Sequence, residues 1–90
     1  MTPHDGVEHR REPRRAASGG VRVWFENPQH FEIKGNLVDI SAHGFRMSHR
    51  CTSLQAGQTV EFAHVEAAGR ARVVWNRILD VGVETGFLVL

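Results

Sequence analysis

Hydrophobic side chains recur at every second residue through most of this chain, in short runs broken by turn residues. That period admits β-strands and little else. Val21, Val23 and Phe25 alternate with Arg22, Trp24 and Glu26, and Asn27-Pro28-Gln29 then interrupts the run with turn chemistry. Phe31, Ile33, Gly35 and Leu37 alternate with Glu32, Lys34 and Asn36. Phe45 and Met47 follow against Arg46 and Ser48, then Val60 and Phe62 against Thr59 and Glu61. Ala71, Val73 and Trp75 alternate with Arg70, Arg72 and Asn76, and a last run extends from Val81 to Val89. These six runs, with glycine-containing turns and no helical period of useful length, predict an all-β fold: a six-stranded antiparallel β-barrel over residues 21–90, with no substantial C-terminal helix. Closing the sheet also removes the exposed edges that a small open sheet would carry.

Two local features refine this reading. Val38 and Ile40 flank Asp39, so the alternation slips there, which predicts a bulge that re-aims the Asp39 carboxylate. Ala67-Ala68-Gly69 reads as a short hairpin turn, and residues 49–58 as a polar connection. Residues 1–20 lack apolar periodicity and end in the hinge-like Ala16-Ala17-Ser18-Gly19-Gly20, so they are expected to form a flexible, arginine-rich arm.

Composition narrows the class of function. The 90 residues make one domain, with a small core and a thin stability margin. Net charge is only +1, which argues against non-specific binding to DNA or RNA. The charge is uneven, however: residues 10–15 carry four Arg and one Glu, while residues 16–90 balance seven basic against seven acidic side chains. Cys51 is the sole cysteine, so no intrachain disulfide forms, and a reducing, cytoplasmic location is expected. No run is long and apolar enough for membrane insertion as a helix. The six histidines, at 4, 9, 30, 43, 49 and 64, lack the spacing of a metal site, so no metal or other cofactor is expected. Ser41 and His43 lack the orienting group of a nucleophile–base pair, and an enzyme is not expected.

Two motifs carry chemistry. The first is Arg10-Arg11-Glu12-Pro13-Arg14-Arg15. A guanidinium presents a planar fork of donors that matches the O6 and N7 acceptors of guanine, or two oxygens of a phosphate. The second is Asp39-Ile40-Ser41-Ala42-His43-Gly44, placed between the second and third runs as a hairpin turn. An ionised carboxylate is an acceptor-only pair of oxygens that suits the N1–H and N2–H₂ edge of guanine. Ser41 can hold the turn or donate to a phosphate, and Gly44 permits positive φ or close approach of a ligand to the backbone. His43, inside the turn, is a further candidate to stack on a base or touch a phosphate.

An R-x-x-x-R arm, followed by D-x-S-x-x-G between the second and third strands of a small barrel, resembles the PilZ domain. The resemblance spans about Arg10 to Phe87 and takes in Gly57, Ala71-Arg72-Val73-Val74-Trp75, Gly82 and Gly86-Phe87. PilZ domains are bacterial receptors for cyclic di-GMP. The resemblance therefore implies a second-messenger receptor or adaptor, with cyclic di-GMP contacted by Asp39, Ser41 and Gly44 and by arginines in one of two registers, Arg10 with Arg14 or Arg11 with Arg15. It also implies an arm that orders over the ligand and a downstream protein that receives the signal. Two rivals stand beside it: a PilZ-like protein-interaction adaptor that binds no nucleotide, and a barrel that binds single-stranded nucleic acid, which would need aromatics interleaved with basic residues along one face.

Overall fold

The computed structural model describes residues 13–26 and 28–90. Seven strands form one antiparallel sheet: β1 (Arg15–Ala16), β2 (Gly20–Glu26), β3 (His30–Ile40), β4 (Gly44–His49), β5 (Thr59–His64), β6 (Ala67–Leu79) and β7 (Gly82–Val89). The order is β1-β3-β2-β5-β6-β7-β4, and β4 also pairs with β3. That last pairing closes β2 to β7 into the expected six-stranded barrel. The two-residue β1 is an addition, bonded to β3 where β2 leaves off, with Arg15 opposite Ile40 and Ala16 opposite Asp39. Beside it, the Ala17 amide donates to the Val38 carbonyl (3.1 Å) and the Leu37 amide to the Gly19 carbonyl (2.8 Å). The described residues contain no helix, so none is long and apolar enough to cross a membrane.

Most inward positions are those the alternation assigns, but Phe31 near the start of β3 and Val81 before β7 are exposed, because they lie at strand ends beyond the packed core. Val21, Val23, Ile33, Leu37, Phe45, Met47, Val60, Phe62, Ala71, Val73 and Phe87 are all buried. Phe45 stacks on Phe87 with centroids 4.7 Å apart and tilts against Phe62 at 4.8 Å. Burying each such side chain contributes about 1.5–3 kcal/mol.

Two bulges let this core coexist with polar outward positions. Between Leu37–Met47 and Asp39–Arg46 the register slips by one, leaving Val38 unpaired. Leu37 and Ile40, three apart, therefore both face inward, and Asp39 turns to the outer face, as the broken alternation predicts. A second slip between Val73 and Trp75 leaves Val74 out and lays Trp75 opposite Gly86. A Cβ on Gly86 would lie 2.4 Å from the Trp75 ring, so the indole occupies the space a side chain would need.

The hairpin between β5 and β6 departs from the sequence reading. Its turn is Val65–Glu66, and Ala67, Ala68 and Gly69 belong to β6, paired with His64, Ala63 and Phe62. Three small residues read as a turn, but here ladder hydrogen bonds outweigh their low strand propensity. The strand β6 also continues past Asn76 to Leu79.

One end of the barrel is sealed by the 50–58 connection and a buried hydrogen-bond chain. Leu54 inserts into the core. The Cys51 amide donates to His49 Nδ1 (3.0 Å), which leaves the imidazole proton on Nε2. That N–H donates to Thr85 Oγ1 (2.6 Å), the hydroxyl to Asn76 Oδ1 (2.6 Å), and the Asn76 amide to the Leu54 carbonyl (2.9 Å). Every member of the chain is satisfied only while His49 is neutral, and burial holds its pKa below the usual histidine value. A folded-state pKa below the unfolded one stabilises fully above the unfolded value, about 6.5, and the contribution is lost as pH falls beneath it. His64, also pushed down by burial, acts in the same direction, and the exposed His30, raised by its hydrogen bond to Glu26, opposes it. The thermal midpoint should therefore fall between pH 7 and pH 5, with a shallower slope in His49→Gln, and an unchanged slope in that variant would contradict this account.

Candidate functional site

The hairpin joining β3 to β4 is built on the motif turn. The Ser41 amide donates to the Gly44 carbonyl (2.9 Å), and the Ser41 hydroxyl reaches the same oxygen at 3.4 Å. His43 is exposed, and its carbonyl accepts from the Val89 amide (2.7 Å), which ties the turn to the end of β7. Gly44 is buried without positive φ. A Cβ there would lie 2.2 Å from the Phe87 carbonyl oxygen, so the requirement for glycine is close passage of β4 past β7 rather than an unusual backbone angle.

The bulge at Val38 sets Asp39 opposite Arg46 on the outer face. Arg46 Nε donates to both carboxylate oxygens, at 2.9 Å to Oδ1 and 2.8 Å to Oδ2, and its terminal nitrogen also bonds Oδ2. Arg14 Nε adds a bond to Oδ1 at 3.2 Å. Asp39 is 6% exposed, the most deeply buried charge among the described residues. The Arg46 hydrogen bonds, with the charge of Arg14, hold its pKa below the usual carboxylate value against the opposing effect of burial.

The network continues across the barrel. Glu84 on β7 lies 3.8 Å from Arg46 and accepts from Arg77 on β6 at 2.7 Å, and the Arg77 guanidinium sits 5.6 Å from the Trp75 ring. Arg14, Asp39, Arg46, Glu84 and Arg77 thus alternate in sign along the outer face.

Of the residues the sequence singles out, Arg14, Asp39, Ser41 and Gly44 come together around the β3–β4 hairpin. Arg15 does not join them: its guanidinium forks onto both oxygens of Glu66 in the β5–β6 turn. Adjacent residues of an extended chain point to opposite sides, which separates Arg14 from Arg15. Arg10 and Arg11 lie outside the described residues. Arg46 is the site residue that sequence reasoning missed. Its signal was the hairpin register itself, since pairing Ile40 with Phe45 across the turn sets Asp39 against Arg46.

No family model matches the chain, and no curated protein matches it. Among the described residues no group of His, Cys, Asp and Glu could hold a metal ion.

The asymmetry between the two arginines is measurable. Arg46→Ala strips the buried carboxylate of its main donor and should lower stability by roughly 1–3 kcal/mol. Arg14→Ala removes one single-point contact from a half-exposed side chain and should cost less than about 1 kcal/mol. Because the Asp39 pKa is depressed in the folded state, its stabilisation is present above the unfolded value, near 3.9, and lost as pH falls through the folded one. In Arg46→Ala the acid-unfolding midpoint should move to higher pH, as followed by circular dichroism. Equal effects of the two substitutions would contradict this assignment.

Proposed function

We propose that this domain is a PilZ-type receptor for cyclic di-GMP, a binding module rather than an enzyme. The observation that carries the reading is the juxtaposition of Arg14 with the Asp39-x-Ser41-x-x-Gly44 turn at one rim of a closed barrel. Arginine forks and a carboxylate are the complementary partners of a guanine-containing phosphodiester: the first suits phosphate oxygens and the O6 and N7 edge, the second the N1–H and N2–H₂ edge. In the proposed complex cyclic di-GMP lies across the β3–β4 hairpin at Asp39, Ser41 and Gly44. The arginines of the arm close over it, Arg14 in register with Arg10, and the altered surface passes the signal to another protein in a bacterial cytoplasm. Such a switch operates only through the ligand's differential affinity for the open and closed arm.

A specific observation favours a second reading, that of an adaptor without nucleotide. Both oxygens of Asp39 are already engaged by Arg46 and Arg14, so a guanine edge has to displace at least Arg14 before it is read.

Calorimetric titration with cyclic di-GMP, with GTP and a short single-stranded oligonucleotide as controls, separates the readings. The receptor reading expects saturable binding of cyclic di-GMP alone. Arg14→Ala and Asp39→Ala each remove charge-assisted hydrogen bonds and should weaken binding by about 1.5–3 kcal/mol, roughly ten- to a hundredfold. Affinity should also fall as salt rises, because arginine–phosphate attraction is screened. Full affinity in both variants would sink the site, and absence of heat with the wild-type protein would favour the adaptor.

A further inference from the structure

The barrel wall has a gap away from the motif turn. Strand β4 leaves the sheet at His49, opposite Val83, and its last partner on β3 is Asn36. On the side away from β2, the β3 segment His30–Gly35 has no strand partner among the described residues. At the start of β7, Gly82 pairs only with Leu79, and the His49 carbonyl packs against it. The result is a groove of about 380 Å³ that continues the line of β4, with β3 at Lys34 as one wall and Leu79, Val81 and Val83 as the other. The Ser48 carbonyl and His49 pack against Gly35, so the open edge of β3 is His30–Lys34, about 17 Å of main-chain donors and acceptors.

The groove's side chains are of two kinds. Val81 is 82% exposed and the neighbouring Ile78 73%, so the tip of the β6–β7 hairpin presents apolar side chains to solvent. Lys34 and Arg50, the flanking cations, have no ion-pair partner among the described residues, nor has Arg72 on β6, whereas Arg14, Arg15, Arg22, Arg46, Arg70 and Arg77 are each bound to a carboxylate. The nearest acid on β3, Glu32, is engaged by Arg22 at 3.0 Å and lies 3.6 Å from His30. The tip carries one acid, Asp80, which is not among the residues lining the groove. A second copy meeting this face by two-fold symmetry would add the same two cations to the shared surface, with a single acid, Asp80, at each tip.

We propose that this groove is a docking site for an extended acidic-apolar peptide segment of another protein, which adds to the free edge of β3. Acidic residues of the peptide face Lys34 and Arg50, and alternate apolar residues rest on Leu79 and Val81. Main-chain pairing supplies the contact common to all such segments, and the side chains set the preference. The proposal does not depend on the nucleotide reading.

The test uses three fluorescein-labelled peptides of about eight residues, alternating Glu with Leu, Lys with Leu, or Glu with Ser, titrated with the full chain and followed by anisotropy. The Glu–Leu peptide should bind saturably and the other two at least about tenfold more weakly. K34E/R50E and V81S, all at exposed positions, should each lower Glu–Leu affinity at least about tenfold with the thermal midpoint unchanged. Amide exchange should show new protection at His30–Lys34 in the complex. Absence of Glu–Leu binding, equal binding of Lys–Leu, or retained affinity in K34E/R50E would overturn the proposal. Wild-type dimers in sedimentation that V81S dissolves would overturn it in favour of a second copy of this chain.

Discussion

Closure of the barrel depends on β4 lying flush between β3 and β7. Gly44 makes that possible at the start of the strand, because any side chain would strike the Phe87 carbonyl. Once β4 is seated, Phe45 and Met47 fill the centre, and Phe45 brings Phe62 and Phe87 around it. The same seating fixes the hairpin register and so places Arg46 against Asp39. Core and candidate site thus share one steric condition: the packing that excludes water from the phenylalanines also sets the geometry of the carboxylate.

Much of this was legible in the residues. Alternation found the six barrel strands, and the break in alternation at Val38-Asp39-Ile40 announced the bulge, because side-chain direction in a strand has a strict period of two. The signal failed where pairing between strands decided the outcome. Ala67-Ala68-Gly69 has turn composition, yet it is held in β6 by its ladder with β5. Arg46 reads as one more outward-facing polar residue until the register across the turn is known. The engagement of Arg15 with Glu66 joins residues far apart in sequence that no local pattern connects. The arginine registers could not be separated from spacing, whereas strand geometry sends Arg14 and Arg15 to different partners.

The charges on the outer face form a connected set. From Arg14 through Asp39, Arg46 and Glu84 to Arg77, each ion has a neighbour of opposite sign on a different strand. Individually, the more exposed pairs of the set, those made by Arg14 and Arg77, contribute little. Their arrangement matters more: Asp39, buried and engaged at both oxygens, is held in one orientation, and Arg46 is in turn held near Glu84.

The bulge at Val38 has a bearing on how this chain tolerates change. Val38 is half-buried, pairs with no residue of β4, and contributes no side chain to the described network. Its identity is therefore among the least demanding in β3. Its presence matters on the other side of the strand: without it Leu37 would still face in, Asp39 out and Ile40 in, opposite the same residues of β4, but the carbonyl that accepts from the Ala17 amide would be gone. At this point the chain is indifferent to spelling, and what the extra residue supplies is the tie between β3 and the segment beside β1 rather than the facing of Asp39 or Ile40.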